Sequence, residues 1–309
     1  MLAVFLKTLP FFLIIGLGWA AARRRFIDAD GTAALTRFVF YFALSALLFR
    51  FSATLSLSDV LDWPVLGAYL LATAAVYLLA TAVARARRQP PAEAAFEAQC
   101  AVIGNTGFLG LPMLSLLMGE RAITGIVQML AVDLLVFSTL AVILVMAARE
   151  GRITGRALFN IALGVAKNPM VVAIAAGFLW SGLRLPVPGP MDEFLVLLGA
   201  AATPGALFAI GASLASKSAV RLPVAGWLGF LKLVAHPAAV AIAALWIFDV
   251  EPSMAAVLVA ASALPVAGNV YILAAHYNVA PQRVSASILI STVASVVTLP
   301  AVLGLVLQW

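Results

Sequence analysis

The chain has 309 residues, of which 64% are hydrophobic and only 10% are charged, and its formal net charge is +6. Soluble domains carry about 25% charged residues, so this composition excludes a soluble globular protein and predicts an all-α integral membrane protein. The basic residues lie in short clusters between apolar runs, which argues against a nucleic-acid partner and instead indicates orientation in a bilayer. The single cysteine, Cys100, excludes an internal disulfide and argues against a zinc–cysteine cluster.

Ten apolar segments follow one another along the chain, each near the 20 or so residues that a helix needs to cross a bilayer. We expect transmembrane helices near residues 3–22, 32–51, 63–84, 94–118, 122–147, 157–182, 193–215, 223–248, 253–276 and 283–307. The first segment has only Lys7 before its apolar run and three arginines after it, which reverses the charge order of a signal peptide. We therefore predict that it is the first transmembrane helix.

Basic residues are concentrated in every second connection. The connections after predicted helices 1, 3, 5, 7 and 9 hold Arg23, Arg24, Arg25, Arg85, Arg87, Arg88, Arg149, Arg152, Arg156, Lys217, Arg221 and Arg283. The alternate connections hold only Arg50, Arg121 and Arg184, together with several carboxylates. Short loops rich in lysine and arginine stay in the cytoplasm, so we predict that both termini lie on the external side.

Ten helices divide into two sets of five. Because five is odd, a second copy of a five-helix unit would enter the membrane from the opposite side. Short echoes support such a repeat: KTLPFFLIIGLGW from Lys7 resembles KNPMVVAIAAGFLW from Lys167, and GNTGFLGLP from Gly104 matches LPVAGNVY from Leu264. The predicted inverted five-helix repeats are residues 1–150 and 151–309 of a single membrane domain, 1–309.

Predicted helices 4 and 9 both contain residues that interrupt a helix, in the two segments Gly104 to Pro112 and Leu264 to Tyr271. In lipid, an unpaired backbone amide or carbonyl is costly. Broken helices therefore occur where protein, water or a bound solute takes the freed groups. Paired breaks in corresponding places of two halves are typical of a transporter binding site. The alternative is that the glycines only allow helices to pack closely.

We expect the substrate to bind at these two breaks. The asparagines offer uncharged donors and acceptors, the glycines permit unusual backbone dihedrals, and the prolines remove helix hydrogen bonds. The N-terminal ends of the half-helices carry partial positive charge, which suits a carboxylate. The candidate substrate-binding residues are Gly104, Asn105, Thr106, Gly107, Gly268, Asn269, Val270 and Tyr271, and the crossover prolines are Pro112 and Pro265.

Several other polar residues lie inside predicted membrane helices. Asp133 costs roughly 3 kcal/mol to bury there, so it is either a proton-coupling site or a member of a structural bond. Lys232 could pair with Asp133, attract an anion, or extend its charge to the interface, as we also expect for Arg37 near a helix end. His236 shares a helix face with Lys232 and is expected to be a packing residue. Gln128 is a candidate to line the cavity.

The chain resembles the auxin efflux carrier family of transporters, including its bacterial members. The likeness spans essentially the whole chain and rests on GNTGFLGLPM, KNPMVVAIAAG, TPGALFAIGASL, KLVAHP, ALPVAGNVYILAAHY and SASILISTVASVVTLP, in that order. One departure is Ser45, which stands where the family usually has proline. We therefore expect the second helix to be less kinked in this chain.

The resemblance implies a sodium/bile-acid symporter-like fold in which the broken helices 4 and 9 cross. It implies a scaffold of helices 1, 2, 6 and 7, at about 3–51 and 157–215, through which a homodimer would form. Helices 3–5 and 8–10, at about 63–147 and 223–307, would form the transport domain. It also implies a bacterial inner membrane location and carriage of organic anions such as auxin, malonate or malate, with Asn105 and Asn269 lining the site.

These observations predict a secondary active transporter that moves a small mono- or dicarboxylate by elevator-type alternating access. The alternatives are a cation-coupled antiporter on the same fold and a non-transporting membrane sensor. The neutral Asn105 and Asn269 disfavour the antiporter, and the sensor would need an output domain that the sequence does not encode. His236 and His276 lack metal-ligand spacing and there is no Walker-type loop. We therefore expect no enzyme activity, no metal, and no cofactor beyond a coupling ion, H⁺ or Na⁺.

Overall fold

The computed structural model describes residues 2–54, 62–150, 159, 163, 166–215 and 222–308. Within these ranges the chain is helical and has no β-strand apart from one isolated bridge. Six of the helices are long and apolar enough to cross a membrane, which confirms an all-α membrane protein. Ten crossings arranged as two inverted repeats stay a prediction. The start of predicted helix 6 and the basic residues Arg152, Arg156, Lys217 and Arg221 lie outside the described residues.

The observed helices follow the predicted apolar segments in order. They are α1 (Leu2–Arg23), α2 (Ala29–Thr54), α3 (Trp63–Ala86), α4 (Pro91–Val102), α5 (Thr106–Met118), α6 (Glu120–Ala148), α7 (Pro169–Gly182), α8 (Gly189–Leu214), α9 (Leu222–Ile247), α10 (Pro252–Ser262), α11 (Gly268–His276) and α12 (Pro281–Val306). Predicted helix 4 is divided into α4 and α5, and predicted helix 9 into α10 and α11.

Local sequence signals set several helix starts. The Asp28 carboxylate accepts a hydrogen bond from the amide of Gly31 at 2.7 Å, and the Asn168 side chain accepts one from the amide of Met170 at 2.9 Å. These side chains cap α2 and α7. Proline occupies the first turn of α4, α7, α10 and α12, where its missing N–H would have no partner within the helix.

Several helices contain π-helical turns. These turns are Val39–Ala43 in α2, Thr106–Gly110 in α5, Asp133–Ser138 in α6, and Leu231–Ala235 and Ala243–Ile247 in α9. The turn in α2 bears on the expectation that this helix is less kinked because Ser45 replaces the family's usual proline. Because of this turn, α2 departs from regular α geometry without the family's proline. The Ser45 hydroxyl, just after the turn, donates to the carbonyl of Phe40 at 3.2 Å. The two polar membrane residues Asp133 and Lys232 both lie in such turns, which are frequent at functional sites.

Close backbone packing joins α1 to α8. A Cβ atom at Gly18 would lie 2.1 Å from the carbonyl oxygen of Phe208, and one at Gly211 would lie 1.8 Å from that of Ile15. Gly177 makes a similar contact between α7 and α2. Small residues at such crossings let helix backbones approach each other in a membrane. These contacts hold together four helices of the predicted scaffold.

Gly18→Ala is expected to destabilise the folded protein by about 1–3 kcal/mol, the usual cost of overpacking. The added methyl group would clash with the backbone of Phe208, which cannot move away unless α8 moves. Gly16→Ala is the matched control on the same helix, because a Cβ there would meet nothing within 4 Å. Thermal denaturation of the purified protein in detergent measures both. Equal melting temperatures for the two variants would contradict the close contact between α1 and α8.

A buried group of charged residues, which we call the ionic cluster, joins the start of α4 to the start of α12. It consists of Arg87, Glu93, Glu97 and Arg283. The Arg283 guanidinium lies 2.9 Å from the carboxylate of Glu93 and also donates to Glu97, which accepts a second bond from Arg87. The side chains of Glu97 and Arg283 are only 1% and 7% exposed. The cluster therefore fixes α4 against α12 at the end where the basic connections lie.

Candidate functional site

The two helix breaks lie directly against each other. Gly104 and Val266 form an isolated antiparallel β-bridge between the α4–α5 break and the α10–α11 break. The amide of Asn105 donates to the carbonyl of Pro265 at 2.8 Å, and the amide of Ala267 donates to that of Ile103 at 3.0 Å. The sequence left open whether protein, water or a bound solute takes the freed backbone groups. Part of these groups pair with each other across the breaks, so the protein itself satisfies them.

Other backbone donors at the breaks remain without partners inside their own helices. The first amides of an α-helix have no acceptor within it, and α5 and α11 both begin at a break. Both helix starts border one cavity. Asn105, Thr106 and Gly107 line it at the start of α5, and Gly268 and Asn269 line it at the start of α11. The N-terminal ends of two helices therefore converge there, and each carries partial positive charge.

Two adjoining cavities are lined by residues of the two breaks. The larger has a volume of about 410 Å³ and lies between α2 and α8 on one side and the two breaks on the other. Its lining includes Thr36, Arg37, Phe40, Tyr41, Asn105, Phe108, Ala209, Ile210, Ser213, Gly268, Asn269, Tyr271 and Ile272. The smaller, about 100 Å³, extends toward α6 and α7. We call these the crossover cavity and the side cavity. The crossover cavity has the size of known small-molecule sites, about 300–1,000 Å³.

Most of the predicted site residues border these cavities. Asn105, Gly268 and Asn269 line both, Tyr271 lines the crossover cavity, and Gly104, Thr106, Gly107 and Asp133 line the side cavity. Five others do not, namely Val270, Pro112, Pro265, Gln128 and Lys232. Val270 is buried and lines neither cavity, Pro112 is buried within α5, and Pro265 contributes its carbonyl to the pairing of the breaks. The roles of all these residues in binding stay predictions.

Gln128 lies away from both cavities. Its side chain is 3% exposed, and among the described residues neither its amide nitrogen nor its oxygen has a hydrogen-bond partner. The sequence proposed it as a cavity-lining residue because it is polar within an apolar helix. Its side chain is buried and lines neither cavity, so a role for it in transport stays a prediction.

Lys232 is buried beside the first of the two breaks. Its side chain is completely buried, and its ammonium donates to the carbonyl of Ser262, the last residue of α10. A Cβ atom at Gly104 would lie 3.2 Å from the Lys232 Nζ atom. The ammonium also lies 3.4 Å from His236 Nδ1, and His236 Nε2 lies 3.0 Å from the hydroxyl of Thr73. His236 therefore has partners on both ring nitrogens, as expected of a packing residue.

Asp133 does not form the ion pair with Lys232 that the sequence suggested. Its Oδ1 atom accepts a hydrogen bond from the hydroxyl of Tyr69 at 2.8 Å. Its Oδ2 atom is buried and has no partner among the described residues. Asp133 also lines the side cavity. No group of three or more His, Cys, Asp or Glu side chains in the described ranges is placed to hold a metal ion.

Sequence reasoning missed two features of the crossover cavity. Phe40 of α2 and Phe108 of α5 stack on each other where they line it, with ring centroids 5.8 Å apart and planes inclined by 8°. They contribute apolar surface to the cavity from two different helices. Arg37 also lines it, although its place in the sequence indicated only a lipid-facing helix end. An aromatic residue in an apolar run carries no signal of its own, so these contacts could not have been found from the sequence.

Comparison with known proteins supports the resemblance noted in the motifs. Residues 3–303 match a family described as "Membrane transport protein". The chain is 31% identical over 306 residues to a Rhizobium meliloti (strain 1021) protein named "Putative malonate transporter", covering 96% of this chain and 94% of that protein. It is 26% identical over 303 residues to an Escherichia coli (strain K12) protein named "Uncharacterized transporter YfdV", covering 94% of each. The chain therefore belongs to this membrane transport protein family, the auxin efflux carrier family that its motifs resemble.

Proposed function

We propose that the chain is a secondary active transporter that carries a small organic anion through the crossover cavity. The observation that supports this most directly is the convergence of Asn105, Asn269 and two helix starts on one space of about 410 Å³. Side-chain amides and helix N-terminal amides donate hydrogen bonds to carboxylates without adding a formal charge. The name of the Rhizobium relative, which mentions malonate, agrees with a small organic anion as the substrate.

We propose an elevator mechanism for the transport step. The crossover cavity lies between α2 and α8, which belong to the predicted scaffold, and the breaks, which belong to the predicted transport domain. If the helices that carry the breaks slide against α2 and α8, the substrate moves with them. Phe40 and Phe108 would separate during this movement, because they stack across that boundary. A homodimer through the scaffold, with the protein in a bacterial inner membrane, completes the proposal.

The experiment that tests the function is uptake into proteoliposomes. Purified protein, shown to be folded by its elution and melting profiles, is reconstituted and given labelled malonate, malate, acetate and an indole carboxylate under imposed ion gradients. We expect saturable uptake of at least one carboxylate. Failure of every carboxylate would overturn the anion-transport proposal. Cation exchange without anion uptake would instead indicate an antiporter, and binding without flux would indicate a sensor.

We further propose that Asp133 carries the coupling ion. Asp133 lines the side cavity together with Asn105, and its buried Oδ2 atom has no hydrogen-bond partner among the described residues. A proton or Na⁺ bound to this carboxylate would therefore be close to the substrate. Transport would then depend on loading of both sites.

Asp133→Asn is expected to abolish the dependence of uptake on the coupling gradient, because an amide can neither gain a proton nor supply a negative charge. Initial rates are compared at pH values on both sides of neutrality, with and without a sodium gradient. Asp192→Asn is the control, since Asp192 is paired with Arg50 at 2.6 Å away from both cavities. A variant at Asp133 that still responds fully to the gradient would contradict this role.

A further inference from the structure

Arg37 stands where two spaces meet. It lines the crossover cavity, and it also lines a wider space of about 1,230 Å³ formed by the α1–α2 connection, the start of α2 and the end of α8. Thr36 and Ser213 are shared by the two spaces in the same way. A solute that enters from the side of the basic α1–α2 connection therefore passes Arg37 before it reaches Asn105 and Asn269.

Nothing in the described part of the chain engages the Arg37 guanidinium. No hydrogen bond or ion pair joins it to another described residue, whereas Arg50, Arg87, Arg121 and Arg283 all pair with carboxylates. Arg37 is eight positions along α2 from Ala29, which is about 12 Å of helix. A cation within a membrane-spanning helix is costly unless it faces water or a partner, and in membrane proteins it commonly marks a substrate path.

The two ends of the crossover cavity differ in chemistry. At the breaks the donors are neutral amides, from Asn105, Asn269 and the backbone. At the opposite side the donor is an arginine, whose planar fork forms paired, charge-assisted hydrogen bonds with a carboxylate. A monocarboxylate can satisfy only one of these ends. A guest with a carboxylate at each end satisfies both, and it leaves neither a buried anion nor a free guanidinium.

We propose that Arg37 binds the second carboxylate of the substrate and so makes the site selective for short dicarboxylates over monocarboxylates. The inference rests on the proposed anion-transport function and specifies its substrate class. Arg23 and Arg25 line only the wider space, together with Asp28 and Asp30. They attract anions toward the mouth but do not reach the crossover cavity.

The test compares malonate with its monomethyl ester, which keeps one carboxylate and similar size, and repeats the comparison with succinate and glutarate. Binding is measured by the ligand-dependent shift of melting temperature and by competition with uptake. For the wild-type protein we expect the diacid to bind about tenfold or more tightly than its ester, the contribution of a hydrogen bond to a charged group. Arg37→Gln should reduce diacid binding to the level of the ester and leave ester binding unchanged. Arg37→Lys should bind the diacid with an affinity between those of the wild-type protein and Arg37→Gln.

Two control variants separate contact from general attraction. Arg24→Gln also removes one positive charge. Arg24 lies beside Arg25 in the α1–α2 connection but lines neither space, so this variant should bind both ligands as the wild-type protein does. Arg25→Gln should slow association at low salt without changing the preference for the diacid. If Arg25→Gln reduces the preference as much as Arg37→Gln does, direct contact by Arg37 is overturned.

The remaining outcomes distinguish this inference from the proposed function. If the wild-type protein binds esters and diacids equally, or if Arg37→Gln weakens both alike, selectivity by Arg37 is wrong while anion transport stands. If only monocarboxylates bind, the dicarboxylate class is wrong and transport again stands. If no carboxylate of either kind binds to folded protein, both proposals fall together.

Discussion

Glu97→Gln is expected to destabilise the folded protein by about 3 kcal/mol. Removing one member of a buried ion pair usually costs about 3–5 kcal/mol, because the other charge is left without compensation in a poorly solvated place. Glu97 accepts bonds from both Arg87 and Arg283, so both arginines lose a partner. The estimate lies at the lower end of the range because Arg283 keeps Glu93 at 2.9 Å and the Gln89 side-chain oxygen at 3.2 Å.

An exposed ion pair provides the control for Glu97. Arg121 and Glu251 join the starts of α6 and α10, and their side chains are 54% and 63% exposed. Exposed pairs contribute about 0–1 kcal/mol, so Glu251→Gln should melt close to the wild-type protein. Both variants are followed by thermal denaturation in the same detergent. If Glu97→Gln melts at the same temperature as Glu251→Gln, the ionic cluster does not hold α4 to α12.

The ionic cluster matters for the site because both of its helices lead to the crossing. α4 continues directly into the first break at Ile103, and α12 carries Ser291, whose hydroxyl accepts the amide of Val266 in the second break at 3.1 Å. A variant at Glu97 that folds should therefore also disturb the relative placement of the two breaks. The cluster thus fixes one end of the unit that the proposed elevator moves.

The sequence determined where the helices break but not what the freed groups bind. Glycines and proline in Gly104 to Pro112 disfavour a regular helix, so an interruption in this segment was expected from elementary backbone chemistry. The partner of each freed group depends on a chain segment about 160 residues away. The pairing of Asn105 with Pro265 and of Ala267 with Ile103 was therefore beyond sequence reasoning, although the correspondence of the two breaks was recognised.

Two basic residues, Lys232 and Arg37, show the same limit of prediction from sequence. Lys232 and Arg37 both look like cations in an apolar run, and for each the extension of the side chain to the interface was a natural expectation. The structure separates them: Lys232 is completely buried against the carbonyl of Ser262, whereas Arg37 is exposed to a cavity. Which environment a helix residue meets depends on the neighbouring helices, and periodicity along one helix does not contain that information.

Asn105→Ala and Asn269→Ala are expected to reduce substrate affinity by about tenfold to a hundredfold each, the value of one hydrogen bond to a charged group. The loss should be larger for Asn105, which is 7% exposed, because a desolvated hydrogen bond is stronger. Asn269 is exposed at the cavity, where water can replace part of the lost hydrogen bonding to the substrate. Binding is measured by the shift in melting temperature with malonate and by the KM of uptake.

Gln128→Leu is the matched control for the loss of an amide. Gln128 lines neither cavity, and its amide has no partner among the described residues. Its replacement should leave uptake unchanged and raise stability by about 1–3 kcal/mol, the cost of a buried polar group without a hydrogen bond. If both asparagine variants are folded and transport like the wild-type protein, the side chains at the breaks do not hold the substrate. The helix N-terminal amides alone would then have to account for binding, and the two corresponding asparagines would be packing residues.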